Sequence, residues 1–285
     1  MSSLVIYGNE FAGHMENGLS PEFFKYRFLA EGDSWMDRSA MFHTSLLQAL
    51  APAMDATGDE VLIINVAMFG DTMRRVGDCA RGDFRLWVNT QFSWKFDAIL
   101  LSAGGNDFID AARDPGPGQG ILRDLAVEPV PASGRDCLKR TAVATLVNQY
   151  MNPNFSTLYN VIQSSRHANV PIFLNNYDTP TARNAPAFPR GHAWLFDAYV
   201  KNSIAPTLWP DLTAAIFDEV QATIAGWTNG RNNLVSVPTH GTLVPAATGS
   251  IGSDADWLNE IHPNACGWSK LAAVWRKAIK EVLVS

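Results

Sequence analysis

Cysteine is scarce in this sequence: Cys79, Cys137 and Cys266 are the only three in 285 residues. An odd number at scattered spacings makes neither a disulfide framework nor a paired zinc pattern. Long apolar runs are missing as well. No stretch approaches the roughly 18–20 apolar residues that span a bilayer, so no membrane-crossing segment is expected. Residues 1–10 lack a basic start and an extended apolar core, and no secretory signal is read there. With the unpaired cysteines, this points to a reduced, cytoplasmic setting. No run of Lys or Arg stands out and the net charge is −6, which makes nucleic acid and anionic membrane poor partners. No internal repeat and no linker-like stretch divides the chain.

What is present reads as an ordinary globular protein, with 47% hydrophobic and 18% charged residues. At the usual scale of about 100–200 residues per domain, 285 residues fit one large domain or two small ones. One domain over residues 1–285 is expected, with irregular insertions near 113–135 and 179–191. Both insertions are dense in Pro and Gly, including Pro115, Pro117, Pro129 and Pro131 in the first and Pro180, Pro186 and Pro189 in the second. Five short apolar runs, near 27–31, 61–66, 98–102, 171–175 and 234–237, lack polar alternation and predict strands buried on both faces. Helical spacing lies between them. Phe42, Leu46, Ala49 and Leu50 share a face, as do Val143, Leu146, Val147 and Tyr150, until Asn152-Pro153 interrupts the pattern and caps a new helix carrying Phe155, Leu158, Tyr159 and Ile162. Leu212 to Ile224 and Leu271 to Val282 predict two more helices. Alternating strands and helices imply an α/β fold on a parallel sheet, whose ligand site lies beyond the carboxyl ends of the strands.

Three of those strand ends carry chemistry in order. The first leads into Gly32-Asp33-Ser34, a turn that places a hydroxyl where a strand hands over to a helix. Gly-Asp-Ser also makes plain turns, but main-chain N–H groups at a helix start are unpaired, so an oxyanion beside Ser34 would find donors. The second leads to Gly70, which can bring a bare N–H close to a ligand. The third leads to Gly104-Gly105-Asn106-Asp107, where the Asn106 amide can donate. A base for serine is a histidine by default. His262, in the loop before the last helix, is the first candidate, and His240, after the fifth strand, is its rival. Tyr177 and Asp178 follow the fourth strand and are candidate substrate contacts.

Together Gly32-Asp33-Ser34, Gly70, Gly105-Asn106-Asp107 and His262-Pro263 resemble, in family order, the four blocks of the SGNH hydrolase superfamily, or GDSL-like esterases and lipases. The resemblance spans residues 32 to 263. It implies a three-layer α/β/α sandwich, flavodoxin-like, with a central five-stranded parallel sheet. It also implies Ser34 as nucleophile, His262 as base, and the N–H groups of Ser34 and Gly70 with the Asn106 side chain as oxyanion hole. One departure stands out. The family places Asp three residues before the His, where this chain has Asn259, so Asn259, Asp256, Glu260 or a main-chain carbonyl is left to orient His262. Met36 stands where an α/β-hydrolase elbow has its last glycine, which disfavours that fold.

The expected function is hydrolysis of small-molecule carboxylic esters through an acyl-enzyme, with no metal or cofactor. Acyl transfer by the same site, or a decayed binding protein of the same fold, are the alternatives. The rate is expected to rise through the ordinary histidine range, around pH 6–7.

Overall fold

Apolar continuity translates directly into central strands. Val61–Asn65 and Ala98–Ser102 are buried at every position, as is Ile172–Asn175. In this computed structural model, which describes residues 2–37, 44–77, 83–90, 92–114 and 116–284, six strands form one parallel sheet. They are β1 (Leu4–Tyr7), β2 (Tyr26–Gly32), β3 (Val61–Asn65), β4 (Ala98–Ser102), β5 (Ile172–Asn175) and β6 (Leu234–Val237), in spatial order β1-β3-β2-β4-β5-β6. The sequence expectation of five strands is thus corrected to six. The added β1 pairs along the outer edge of β3, Leu4 opposite Leu62 through Tyr7 opposite Asn65. Only one of its four residues is buried, so it lacks the signature of the central strands.

Among the described residues ten α-helices accompany the sheet: α1 (Phe11–Glu16), α2 (Leu46–Asp55), α3 (Met73–Gly77), α4 (Asp83–Asn89), α5 (Gly105–Arg113), α6 (Arg140–Thr145), α7 (Asn152–Gln163), α8 (Leu195–Lys201), α9 (Trp209–Thr228) and α10 (Ala265–Leu283). Strand order dictates their layers. From β2 the chain moves outward to β3, then returns past β2 to β4 and continues to β5 and β6. Right-handed crossovers in opposite directions put their helices on opposite faces. Accordingly α2 packs against α10, whereas α3 and α4 pack with α7, and α5 with α8 and α9. The Phe11 ring of α1 meets Trp87 of α4 edge-on at 5.0 Å, which places α1 with the larger layer. The result is a three-layer α/β/α sandwich. Among the described residues no helix is long and apolar enough to cross a membrane.

The helical stretch around Asn152-Pro153 differs from expectation. Instead of breaking, the chain stays helical from Arg140 to Gln163 by widening into a π turn at Leu146–Met151. Pro153 offers no N–H and its ring would crowd the carbonyl of Gln149, and a π turn is where a helix accommodates such a slip. Phe42 and Cys79, part of the sequence reading, lie outside the described residues.

The switch in chain direction falls between β2 and β4, so the crevice beyond their carboxyl ends is the predicted ligand position. Gly32 ends β2 there with φ +146, and a Cβ on it would sit 2.2 Å from the Ser102 carbonyl oxygen. No other residue type fits.

Candidate active site

Register builds the Ser34 turn. Gly32 lies opposite Ser102, and the ladder continues one step as the Asp33 N–H donates to the Ser102 carbonyl at 2.9 Å. The Asp33 carbonyl then accepts from the N–H groups of Met36 and Asp37, both at 3.0 Å, which closes one helical turn carrying Ser34. The next described helix, α2, begins at Leu46. The Asp33 carboxylate stands behind the turn, buried, taking hydrogen bonds from Trp35 N–H (3.0 Å), Ser102 Oγ (2.9 Å) and the Tyr177 hydroxyl. Burial pushes its pKa up to about 6 against the pull of those donors.

His262 reaches the turn from the loop preceding α10. Its Nε2 lies 2.8 Å from Ser34 Oγ, and its Nδ1 lies 3.0 Å from Asn259 Oδ1. The same Oδ1 accepts the main-chain N–H groups of Ile261 (3.1 Å) and His262 (2.9 Å). Main-chain N–H groups only donate, so the Asn259 atom facing them is oxygen, and the imidazole nitrogen facing it must carry a proton. Nε2 is then the bare nitrogen and accepts from the Ser34 hydroxyl. A neutral amide therefore selects the tautomer that a serine base needs.

The other orienting candidates are engaged elsewhere. Asp256 accepts from Val244 N–H and Lys270 Nζ. Glu260 takes four main-chain N–H groups, from Arg183 (3.1 Å), Trp194, Leu195 (2.9 Å) and Phe196 (2.7 Å). The buried Arg183 in turn donates to the carbonyls of Asn259 (2.8 Å) and Gly252 (2.6 Å). The irregular 179–191 segment is thus the scaffold of the histidine loop. Burial raises Glu260 to about 7 even though four donors oppose it. Glu260→Ala would strand those N–H groups and is expected to lower unfolding free energy by about 3 kcal/mol or more. Urea unfolding checks this, and a loss under about 1 kcal/mol would remove Glu260 from that role.

Among the described residues no carboxylate adjoins His262, and burial alone lowers its pKa to about 4. The sequence-based expectation of a rate rising around pH 6–7 changes accordingly. Hydrolysis is expected to be flat above about pH 5.5 and to fall only as His262 protonates near 4. A pH–rate profile decides, and an inflection between 6 and 7 would contradict it. His240 is half exposed at the surface, with Nδ1 2.7 Å from Gln221 Nε2.

The candidate donors lie just beyond the ends of β2, β3 and β4. The main-chain N–H groups of Ser34 and Gly70 have no acceptor among the described residues, and Gly70 has φ +72 with open space beside it. Asn106, in the first turn of α5, gives one amide proton to the Asp71 carbonyl at 3.0 Å, and the other has no acceptor among the described residues. Ser34 and Asn106 line one small recess together with Tyr177 and Asp178. The Tyr177 hydroxyl faces Asp33, however, and the Asp178 carboxylate accepts the N–H groups of Thr179, Gly241 and Leu243. The sequence reading missed the Asp33–Tyr177–Ser102 cluster and the Arg183–Glu260 clamp; the only signal for the first was Asp33 inside the turn. Among the described residues no three His, Cys, Asp or Glu side chains gather as a metal site.

No protein-family model and no curated protein sequence matches this chain. Solved structures do. A lipase, Lip_vut3, from a goat rumen metagenome superposes with a TM-score of 0.52 at 14% identity, over 89% of this chain and 97% of that one. A catalytic mutant of Axe2, an acetylxylan esterase from Geobacillus stearothermophilus, superposes at 0.50 and 12% identity, over 89% and 94%. The fold is that of the SGNH, or GDSL-like, hydrolases. In this SGNH fold the crevice at the switch point holds the Ser34–His262–Asn259 array.

Proposed function

We propose that the chain is a serine-dependent hydrolase of carboxylic esters. One observation carries the reading: Ser34 Oγ, His262 Nε2, His262 Nδ1 and Asn259 Oδ1 form an unbroken relay with steps of 2.8 and 3.0 Å. His262 takes the Ser34 proton as Oγ attacks the ester carbonyl, then returns it to the departing alcohol. The N–H groups of Ser34 and Gly70 and the second amide proton of Asn106, which have no acceptor among the described residues, receive the oxyanion. Water, deprotonated by the same imidazole, releases the acid and regenerates Ser34. The lipase and acetylxylan esterase that share the fold support this chemistry, since both are named for cutting esters. Labelling by a fluorophosphonate tests it: one covalent adduct on Ser34 is expected, absent from a Ser34→Ala variant. Adducts that persist in that variant, or a wild-type chain that does not react, would sink the proposal.

A further inference from the structure

Resting on that reading, we infer that the enzyme is built for esters of very short acids, acetyl above all. The tetrahedral intermediate fixes the argument. Its leaving oxygen must face His262 Nε2 to be protonated, and its oxyanion must face the donors, so the acyl carbon chain takes the remaining direction from Ser34. Among the described residues, the recess that Ser34 and Asn106 both line, and that His262 does not, is the space we assign to it. Only about 10 Å³ within it is open to the centre of a water-sized sphere. A single water or methyl group needs about that much.

Its walls do not yield easily. Ile109, Tyr177 and Phe217 are all buried, and the Tyr177 ring is fixed by its hydroxyl on Asp33 and by Trp35 at 5.0 Å. Pro180 and Asp178 stand between the recess and a larger outer cavity of about 460 Å³ that includes Trp209 and Leu243. Asp178 holds that partition by accepting the Gly241 (2.9 Å) and Leu243 (2.6 Å) N–H groups. A chain of four carbons exceeds the open volume of the recess. In the reaction Oγ bonds the acetyl carbonyl carbon and the ester C–O bond breaks. The alkoxide leaves with the proton that His262 took from Ser34, and water then adds to the acetyl-enzyme and yields acetate.

Kinetics of p-nitrophenyl acetate, butyrate and octanoate on the whole chain test this. One methylene too many in a filled pocket typically costs about 10–200-fold in specificity. We therefore expect kcat/KM for acetate to exceed that for butyrate by about 100-fold, with octanoate slower still. Ile109→Ala and Phe217→Ala, each verified as folded by circular dichroism, should raise the butyrate-to-acetate ratio about tenfold or more. Butyrate or octanoate cut within about threefold of acetate by the wild-type chain would overturn the inference while leaving serine catalysis intact. So would an unchanged ratio in a folded variant. If neither variant folds, the wild-type series alone decides. Absence of any ester cleavage together with no fluorophosphonate adduct would instead fail the underlying reading.

Discussion

Replacing Ser34 by alanine is expected to lower ester turnover by about 10⁴–10⁶-fold without loosening the fold. The Ser34 hydroxyl makes one hydrogen bond among the described residues, to His262, and the side chain is only half buried. The turn that presents it is held instead by the Asp33 carboxylate and carbonyl, neither of which the substitution touches. Loss of Oγ therefore removes the proposed nucleophile and little else. Any residual rate over the uncatalysed reaction would come from the proposed oxyanion donors, the N–H groups of Ser34 and Gly70 and the Asn106 amide, which the substitution leaves in place. Steady-state hydrolysis of p-nitrophenyl acetate, with a thermal melt of each protein, separates the two effects. Turnover within about tenfold of wild type, with an unchanged melt, would show that another group attacks.

Continuous burial made the central strands legible, since β3 and β4 are sealed on both faces and carry nothing but apolar side chains up to their ends. The half-exposed β1 has no such run, and its pairing with β3 is a fact of tertiary packing. The interruption read at Asn152-Pro153 follows from local proline chemistry, but the helix absorbed it in a π turn, which depends on the packing around Met151 and Phe155, both buried. At the site, Ser34, Asn106 and His262 were readable because each stands just beyond a strand or before a helix, where fold geometry concentrates ligand contacts. What Tyr177 and Arg183 touch was not. Tyr177 reaches Asp33 across 144 positions of sequence and Arg183 reaches Asn259 across 76, and no local pattern encodes contacts at such separations. The histidine pKa escaped for a related reason: residue type implies an ordinary value, whereas burial, with no anionic neighbour among the described residues, holds the ring near 4.

Asn259 is where that low pKa and the catalytic power meet, and removing its side chain is expected to have the second largest effect. Asn259→Ala deletes the oxygen that accepts His262 Nδ1–H and the two main-chain donors of the loop. The imidazole is then free to carry its proton on Nε2, the wrong nitrogen for drawing a proton from Ser34. In a serine protease the wrong tautomer costs about 10⁴-fold, and here the locked ring should lose about 10²–10⁴-fold in kcat with little change in KM. Asn259→Asp separates orientation from charge. It keeps an acceptor for all three donors, so turnover above neutral pH should survive. It also sets an anion beside a buried imidazole, which favours the protonated ring and should move the acid limb of the rate profile upward from about 4 by at least about one unit. The sign follows from what is stabilised: a carboxylate raises the pKa of the base, so more acid-side activity is lost than in the wild type. An acid limb that stays near 4 in Asn259→Asp would mean that residue 259 does not govern the histidine. An Asn259→Ala variant as active as wild type would mean that the 3.0 Å contact does not set the tautomer.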